Sequence, residues 1–218
     1  EKLRAFGTSR VLILYGGGSV ERSGLLSRIE KNLTSAGLAF LVMGGVRPNP
    51  RVSFVREAIR EGLAADVNFI LGVGGGSVID SAKAVAHGMA NPTTDIWDIW
   101  TRKVEITKTL PFGSVVTIPA AGSETSDSAV LTNEDTGRKV GLNSPLNRAV
   151  FAFMNPELAF TLPRTQIAAG GADIMMHTME RYFTSVKETN LFTDRVSEQL
   201  ILTVMESIRR LLVSRKDY

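Results

Sequence analysis

Cysteine is missing from all 218 residues. Its absence rules out disulfides, zinc–thiolate sites and thiol nucleophiles, and it suits a reducing compartment. Histidine is scarce as well. His87 and His177 are the whole supply, so imidazole donors for a metal are few. Charge of one sign is not in excess, with 25 basic against 22 acidic residues. No basic block or basic–aromatic interleaving stands out, which argues against a nucleic-acid partner. No apolar run approaches the ~20 residues needed to span a bilayer. The opening Glu-Lys-Leu-Arg reads as neither a secretory signal nor a transit peptide. These absences lead to the expectation of a soluble cytoplasmic chain with no membrane partner.

The residues present have the balance of a globular protein, 44% hydrophobic and 22% charged. The length allows one large domain or one and a half. There are no internal repeats or low-complexity segments. The apolar run 11–15 predicts a strand covered on both faces. Helical spacing follows over 23–36 (Leu25, Leu26, Ile29, Leu33), with Gly37 as its stop. Residues 39–43 predict a second strand. Asn49-Pro50 opens a helix with Val52, Val55, Ile59 and Leu63 on one face. A third strand is expected at 69–73, a helix at 77–89 and a fourth strand at 115–118. Strands alternating with amphipathic helices indicate a parallel α/β sheet. Beyond it, Val130-Leu-Thr132 and Lys139-Val140 flank a polar turn in the manner of a hairpin. Residues 149–153 read as one more strand. From Pro163 onward only helices are expected, over 164–183 and 190–212. Asn-Pro-Glu and Leu-Pro-Arg punctuate the chain between 155 and 163. The reading is therefore an α/β domain over 1–160 and the first helices of a second, all-helical domain over 161–218.

Two constellations carry chemistry. In the first, the strand at 69–73 runs into Gly74-Gly75-Gly76 and then Ser77-Val78-Ile79-Asp80. Glycines let a ligand approach the backbone closely. The first amides of a helix lack intrahelical partners at the positive end of the helix dipole, so such a turn suits a phosphate or pyrophosphate. No Gly-Lys-Ser/Thr follows, so this is not a Walker loop, and the spacing fits G-x-G-x-x-G poorly. The plain alternative is a βα turn capped by Ser77, with Asp80 completing a capping-box-like pair.

The second constellation is Asp173 and His177. Four apart on a predicted helix, they share one face. Carboxylate oxygen and imidazole nitrogen both suit Zn²⁺ or Fe²⁺, and their apolar neighbours predict a dry setting. Two ligands alone do not make a metal site, and a hydrogen-bonded Asp–His pair is the plain alternative. His87, in the helix after the glycine turn, reads as a surface or packing residue.

Taken in order, these segments resemble the iron-containing (group III) alcohol dehydrogenase family, and within it the NADPH-dependent aldehyde reductase and butanol dehydrogenase branch. The matching stretches are Tyr15-Gly-Gly-Gly-Ser-Val20, Asn49-Pro50-Arg51, Gly72-Val-Gly-Gly-Gly-Ser-Val-Ile-Asp80 with Lys83, Thr117-Ile-Pro-Ala-Ala-Gly-Ser-Glu124, Asn155-Pro-Glu-Leu158 with Thr161-Leu-Pro163, and Gly170-Gly-Ala-Asp-Ile-Met-Met-His177. The resemblance implies a dinucleotide-binding first domain and a helical second domain that holds one divalent metal, Fe²⁺ or Zn²⁺. It places the pyrophosphate at the turn Gly74 to Ser77 (Gly75, Gly76, Ser77) with Val78, and the rest of the cofactor along Thr117 and the stretch Ser123 to Ser126, with Lys139. It makes Asp173 and His177 the first two metal ligands, with two further histidines expected after Tyr218. Ala121 and Asn155 depart from the Thr and Asp that relatives often carry.

For the cofactor, NAD-preferring relatives often place an acid after the first strand. Here Gly17, Gly18 and Ser19 fill the turn and no carboxylate precedes Glu21, so NADP(H) is expected over NAD(H). The implied reaction is hydride transfer between that cofactor and a small alcohol/aldehyde pair, in a homodimer. Glycerol dehydrogenase-like and dehydroquinate synthase-like relatives, which prefer NAD, and a non-catalytic nucleotide-binding protein are the competing readings.

Overall fold

A computed structural model describes residues 2–185 and 190–214. The first strand, β1 (Arg10–Tyr15), leads through three glycines to α1 (Ser19–Arg22) and α2 (Leu25–Ser35). One helix was expected over 23–36; the chain instead turns helical earlier and breaks at Gly24, whose φ of 72° lies in the left-handed region. Gly37 ends α2 as expected, with φ 70°. Then follow β2 (Ala39–Met43), α3 (Val52–Ala64), β3 (Phe69–Gly74) and α4 (Gly76–Ala90). The single-turn helix α5 (Ile96–Trp100) comes next; the Asp95 side chain caps it by accepting from the Trp97 amide at 3.0 Å.

The fourth strand, β4, covers Phe112–Val116 rather than 115–118. Its register explains the shift: Val116 pairs with Gly74, where β3 ends, so later residues have no ladder partner on that side. The hairpin forms as β5 (Ser128–Asn133) against β6 (Arg138–Asn143), antiparallel, and β7 is the short strand Phe151–Phe153.

Five strands form one all-parallel sheet in the order β2-β1-β3-β4-β7. The order reverses between β1 and β3. In open α/β sheets that point, at the carboxyl ends of the strands, is where ligands bind. Val11, Leu12, Ile13 and Leu14 are fully buried, as continuous apolar runs in parallel strands require. In one cluster with Leu12 and Leu14 pack Ile70, Phe112, Val55, Val85, Ile96, Ile99 and Trp100. Each such side chain contributes about 1.5–3 kcal/mol by leaving water. α3 and α4 approach closely through small residues: a Cβ on Gly88 would overlap Ile59, and one on Gly62 would press on Met89 Sδ at 2.7 Å.

The chain divides into two compact units. The first holds the chain up to Val116 together with Gly122–Met154; the second holds Thr117–Ala121 and the chain from Asn155. In the second lie α6 (Arg164–Tyr182) and α7 (Leu191–Val213). Asn190 opens α7 by accepting from the Thr193 amide at 3.2 Å. The architecture is thus a Rossmann-like parallel-sheet domain followed by a helical region. No helix among the described residues is long and apolar enough to cross a membrane.

Candidate cofactor and metal sites

At the end of β1 the backbone leaves the sheet as Gly16-Gly17-Gly18. Gly16 O accepts from Gly45 N at 3.2 Å and Tyr15 O from Val46 N at 3.1 Å, which ties the turn to the residues after β2. A Cβ on Gly17 would meet nothing within 4 Å, so space above the turn is open. Gly18 has φ 88°, a conformation that favours glycine. Ser19 is exposed at the start of α1.

A carboxylate does stand beside this turn, contrary to the expectation drawn from residue order. Glu21 folds back to accept from the Tyr15 hydroxyl, and that bond raises the Tyr15 pKa. Glu21 Oε2 lies 3.3 Å and Arg22 Nη1 3.2 Å from the place a Gly18 Cβ would take. One turn of helix suffices to bring both charges back over the glycines.

The second turn starts where β3 ends. Gly75 is the N-terminal cap of α4 in extended backbone, with no side chain capping the helix. Ser77 is therefore not the cap; it lies within the first turn. Asp80 does not bond back to the helix start either. Its Oδ1 accepts from Ser123 Oγ at 2.6 Å and its Oδ2 from Val130 N at 3.0 Å, because α4 packs under β5 and offers those donors first. Gly75 O accepts from Val78 N and Ile79 N, at 3.0 and 3.1 Å. The amides before them have no i−4 partner within the helix.

Val78 joins the two turns. Its Cγ2 lies 2.5 Å from where a Gly74 Cβ would sit and 3.7 Å from a Gly16 Cβ. Gly17, Gly18 and Ser19 are thus brought beside Gly75, Gly76, Ser77 and Val78, at the sheet's reversal point. This arrangement fits a dinucleotide: bare backbone, the unpaired amides of a fifteen-residue helix, and no side chain filling the space above Gly17.

A third segment lies against the second turn. A Cβ on Gly76 would have Ser123 Cβ as its nearest neighbour, at 3.9 Å. Ser123 and the residues after it are held by Lys83, a fully buried lysine. Its Nζ donates to Ser123 Oγ (3.2 Å), Ser126 O (3.1 Å) and Ser128 O (2.7 Å), and it stands 4.0 Å from Asp80 Oδ1. Burial pushes the Lys83 ammonium down to about 8, against the pull of Asp80, Glu124 and Asp127. Burial likewise raises Asp80, opposed by its bond from Ser123. Ser126 Oγ accepts from Ser128 N at 2.9 Å. The sequence shows Asp80 and Lys83 at ion-pair spacing on one helix, but gives no sign of the distant acceptors.

Of the remaining predicted cofactor residues, Lys139 is committed to Asn49, donating to its Oδ1 at 2.9 Å. That pair belongs to the junction where the β5–β6 hairpin meets the start of α3: Thr132 N donates to Pro50 O at 2.8 Å, and Ser53 Oγ to Glu134. Thr117 lies in the second unit, just past β4. His87 is a packing residue and not a surface one. It is fully buried and bonds through Nε2 to Asn147 Oδ1 at 2.7 Å. Asn147 Nδ2 donates to the carbonyls of Asp127 and Leu142, both at 2.8 Å. Its Oδ1 is therefore the acceptor, which places the imidazole proton on Nε2. Burial lowers the His87 pKa.

In the second unit, Asp173 and His177 do share a face of α6, with Oδ1 and Nε2 3.8 Å apart. Glu180 Oε2 stands 3.8 Å from His177 Nδ1. The expected dry setting is absent: the Asp173 and His177 side chains are 45% and 49% exposed. The cause is local, since Gly170 and Gly171 are the only buried residues of α6. One oxygen and one imidazole nitrogen fit a divalent cation as two of its ligands. Among the described residues no group of three or more His, Cys, Asp or Glu could hold a metal ion. Asp173 also lines a cavity of about 530 Å³ with Ile118, Ala120, Thr165, Gln166 and Gly170.

The profile described as iron-containing alcohol dehydrogenase matches residues 1–156. The chain is 41% identical over its full length to a probable NADH-dependent butanol dehydrogenase 1 of Bacillus subtilis, covering 56% of that protein. It is 37% identical over 96% of its length to the NADPH-dependent aldehyde reductase YqhD of Escherichia coli, covering 54% of it. Its fold superposes on the crystal structure of an NADH-dependent butanol dehydrogenase A from Thermotoga maritima with a TM-score of 0.92 at 38% identity, over 96% of this chain and 52% of that one. The chain thus spans about half the length of the relatives it matches.

Proposed function

The chain belongs to the iron-containing alcohol dehydrogenase family, and on that premise we propose that it provides the dinucleotide-binding part, and the first metal ligands, of an enzyme that moves a hydride between NADP(H) and a primary alcohol/aldehyde pair. The observation that carries this reading is the pair of glycine turns at the carboxyl ends of adjacent parallel strands, joined by Val78.

The amides at Gly76 and Ser77 bind the pyrophosphate, with the α4 dipole behind them. Gly17 leaves room for the adenosine end. Ser123, held by Asp80 and Lys83, forms a wall beside Gly76. Asp173 and His177 would hold the metal through a carboxylate oxygen and Nε2, with the Glu180 carboxylate 3.8 Å from the other imidazole nitrogen. When bound, the metal polarises the substrate oxygen while the nicotinamide carries the hydride. A homodimer and a cytoplasmic location belong to the same proposal.

The preference for NADP(H) rests on the arginines around the adenosine end. Arg22 reaches the first turn, and Arg47 and Arg51 line a cavity of about 290 Å³ with Gly45 and Val46, the residues bonded to that turn. A specific observation favours the second reading, NAD(H): the Glu21 carboxylate stands over Gly18, where it suits a ribose hydroxyl and repels a phosphate. The relatives' names divide in the same way.

Fluorescence titration with NADPH and NADH side by side tests both. Tighter binding of NADPH by about tenfold or more, the worth of one good charge-assisted contact, is the expected result. Tighter NADH binding transfers the preference to the second reading, and binding of neither overturns the dinucleotide site.

A further inference from the structure

Lys83 has three ammonium hydrogens and three acceptors, and all three acceptors lie within one short segment, at Ser123, Ser126 and Ser128. That segment has no regular structure before β5 begins. It starts just after Gly122, whose φ is 76°. Backbone bonds close the turn at Gly122 and carry the hairpin ladder on to Asp127 O, but Ser123 is set beside Gly76 by its side-chain bonds. Burying a lysine costs several kcal/mol, and a buried charge pair such as Asp80–Lys83 can often be replaced as a whole by apolar side chains without loss of stability. A purely structural role does not need the charge. What the charge does here is gather two carbonyls and a hydroxyl around one atom, on the helix whose first turn faces the same serine.

We propose that Lys83 is a positioning residue for the cofactor: its ammonium, with Asp80, fixes residues 123–128 against the first turn of α4 and so sets the width of the dinucleotide cleft. The assignment rests on the dinucleotide reading above. Ser123 is the link, because it donates to Asp80 and accepts from Lys83 while its Cβ borders Gly76. The charged and titratable groups facing the ammonium are Asp80 and His87 from α4, Glu124 and Asp127 from the segment itself, and Arg148 from the stretch before β7. A neutral amine has one hydrogen fewer, so one of the three bonds is lost on deprotonation. Dinucleotide affinity then falls as pH climbs through about 8.

The test compares the whole chain with Lys83→Met and Ser123→Ala, by NADPH and NADH titration on both sides of that pH, with thermal melts alongside. Lys83→Met leaves the Asp80 carboxylate and the Ser126 and Ser128 carbonyls without their donor, so it should melt below wild type; where folded, it should bind the preferred dinucleotide about tenfold to a hundredfold more weakly, with no pH dependence near the lysine's range. Ser123→Ala keeps the ammonium and two of its acceptors but removes the hydroxyl that bonds both Asp80 and Lys83, and should lose about tenfold, the worth of one hydrogen bond to a charged group. If wild type binds and Lys83→Met matches it in affinity and pH profile, the assignment is overturned while the dinucleotide site stands. If wild type binds neither cofactor, the site and the assignment fall together. Should Lys83→Met not fold, Ser123→Ala and the wild-type pH profile decide: unchanged affinity together with a flat profile overturns the proposal, and loss with a falling profile supports it.

Discussion

Of the fifteen residues of α4, eleven are buried; α7 runs for twenty-three residues and buries none. The first helix belongs to the sheet unit, where it is enclosed on nearly every side and carries a charged lysine and a neutral histidine in a dry interior. The second belongs to the helical unit, where Leu191, Phe192, Leu202 and Val213 all stand more than half exposed. α7 has its closest fit to α6 at one small residue, Gly171, where a Cβ would overlap Ile208. The contrast separates two kinds of site. In the sheet unit, polar groups are taken out of water and held by partners many residues away, so their arrangement is set by the fold before any ligand arrives. In the helical unit, Asp173 and His177 stand half in solvent, positioned by helix geometry alone.

The largest effect should come from the enclosed side. Trp100 is fully buried at the end of α5, and Trp100→Ala should cost about 3–5 kcal/mol of unfolding free energy, since a cavity is added to the lost transfer energy. Chemical denaturation measures it; a cost near zero would mean that the sheet unit is no better packed than the helical one. Next comes Asp173→Ala. It should weaken Zn²⁺ binding by about tenfold or more, the worth of one ionised ligand, and leave dinucleotide affinity where it was. Calorimetric titration of both ligands sharpens the separation, and a joint loss would break it. The smallest effect is expected on α7. Leu202→Ala removes a side chain that is 58% exposed, so its cost should stay within about 0.5 kcal/mol, as for other surface positions. A larger cost would show that this face is covered in solution.

The parallel sheet was legible because strands buried on both faces are written as unbroken apolar runs, at 11–15 and 69–73. The hairpin was legible from its polar turn ending in Gly137. One-turn helices escaped notice: Ile96–Trp100 is too short to display a period, and its only signal is the Asp95 cap. Glycine turns could be found by composition, but what surrounds them could not. Glu21 reaches back over Gly18 by folding, not by position in the chain. Lys83 meets two carbonyls more than forty residues away, and a backbone carbonyl leaves no mark in the residue order. Spacing placed Asp173 and His177 on one face, while their exposure depends on what covers α6, which spacing does not record. The same limit applied to His87, whose partner Asn147 is sixty residues distant.

The isopropyl group of Val78 occupies the room that a side chain at Gly74 would need and lies at van der Waals distance, 3.7 Å, from the place of a Gly16 Cβ. It acts as a shared abutment. On the proposed function, a cofactor's adenosine end would rest on one glycine turn and its pyrophosphate on the other, and both loads would pass to the same three carbon atoms. The two halves of that ligand would therefore not have independent sites: a shift that admits a bulkier group at one end would move the seat of the other. Changes in cofactor taste made at the first turn should accordingly be read together with the second.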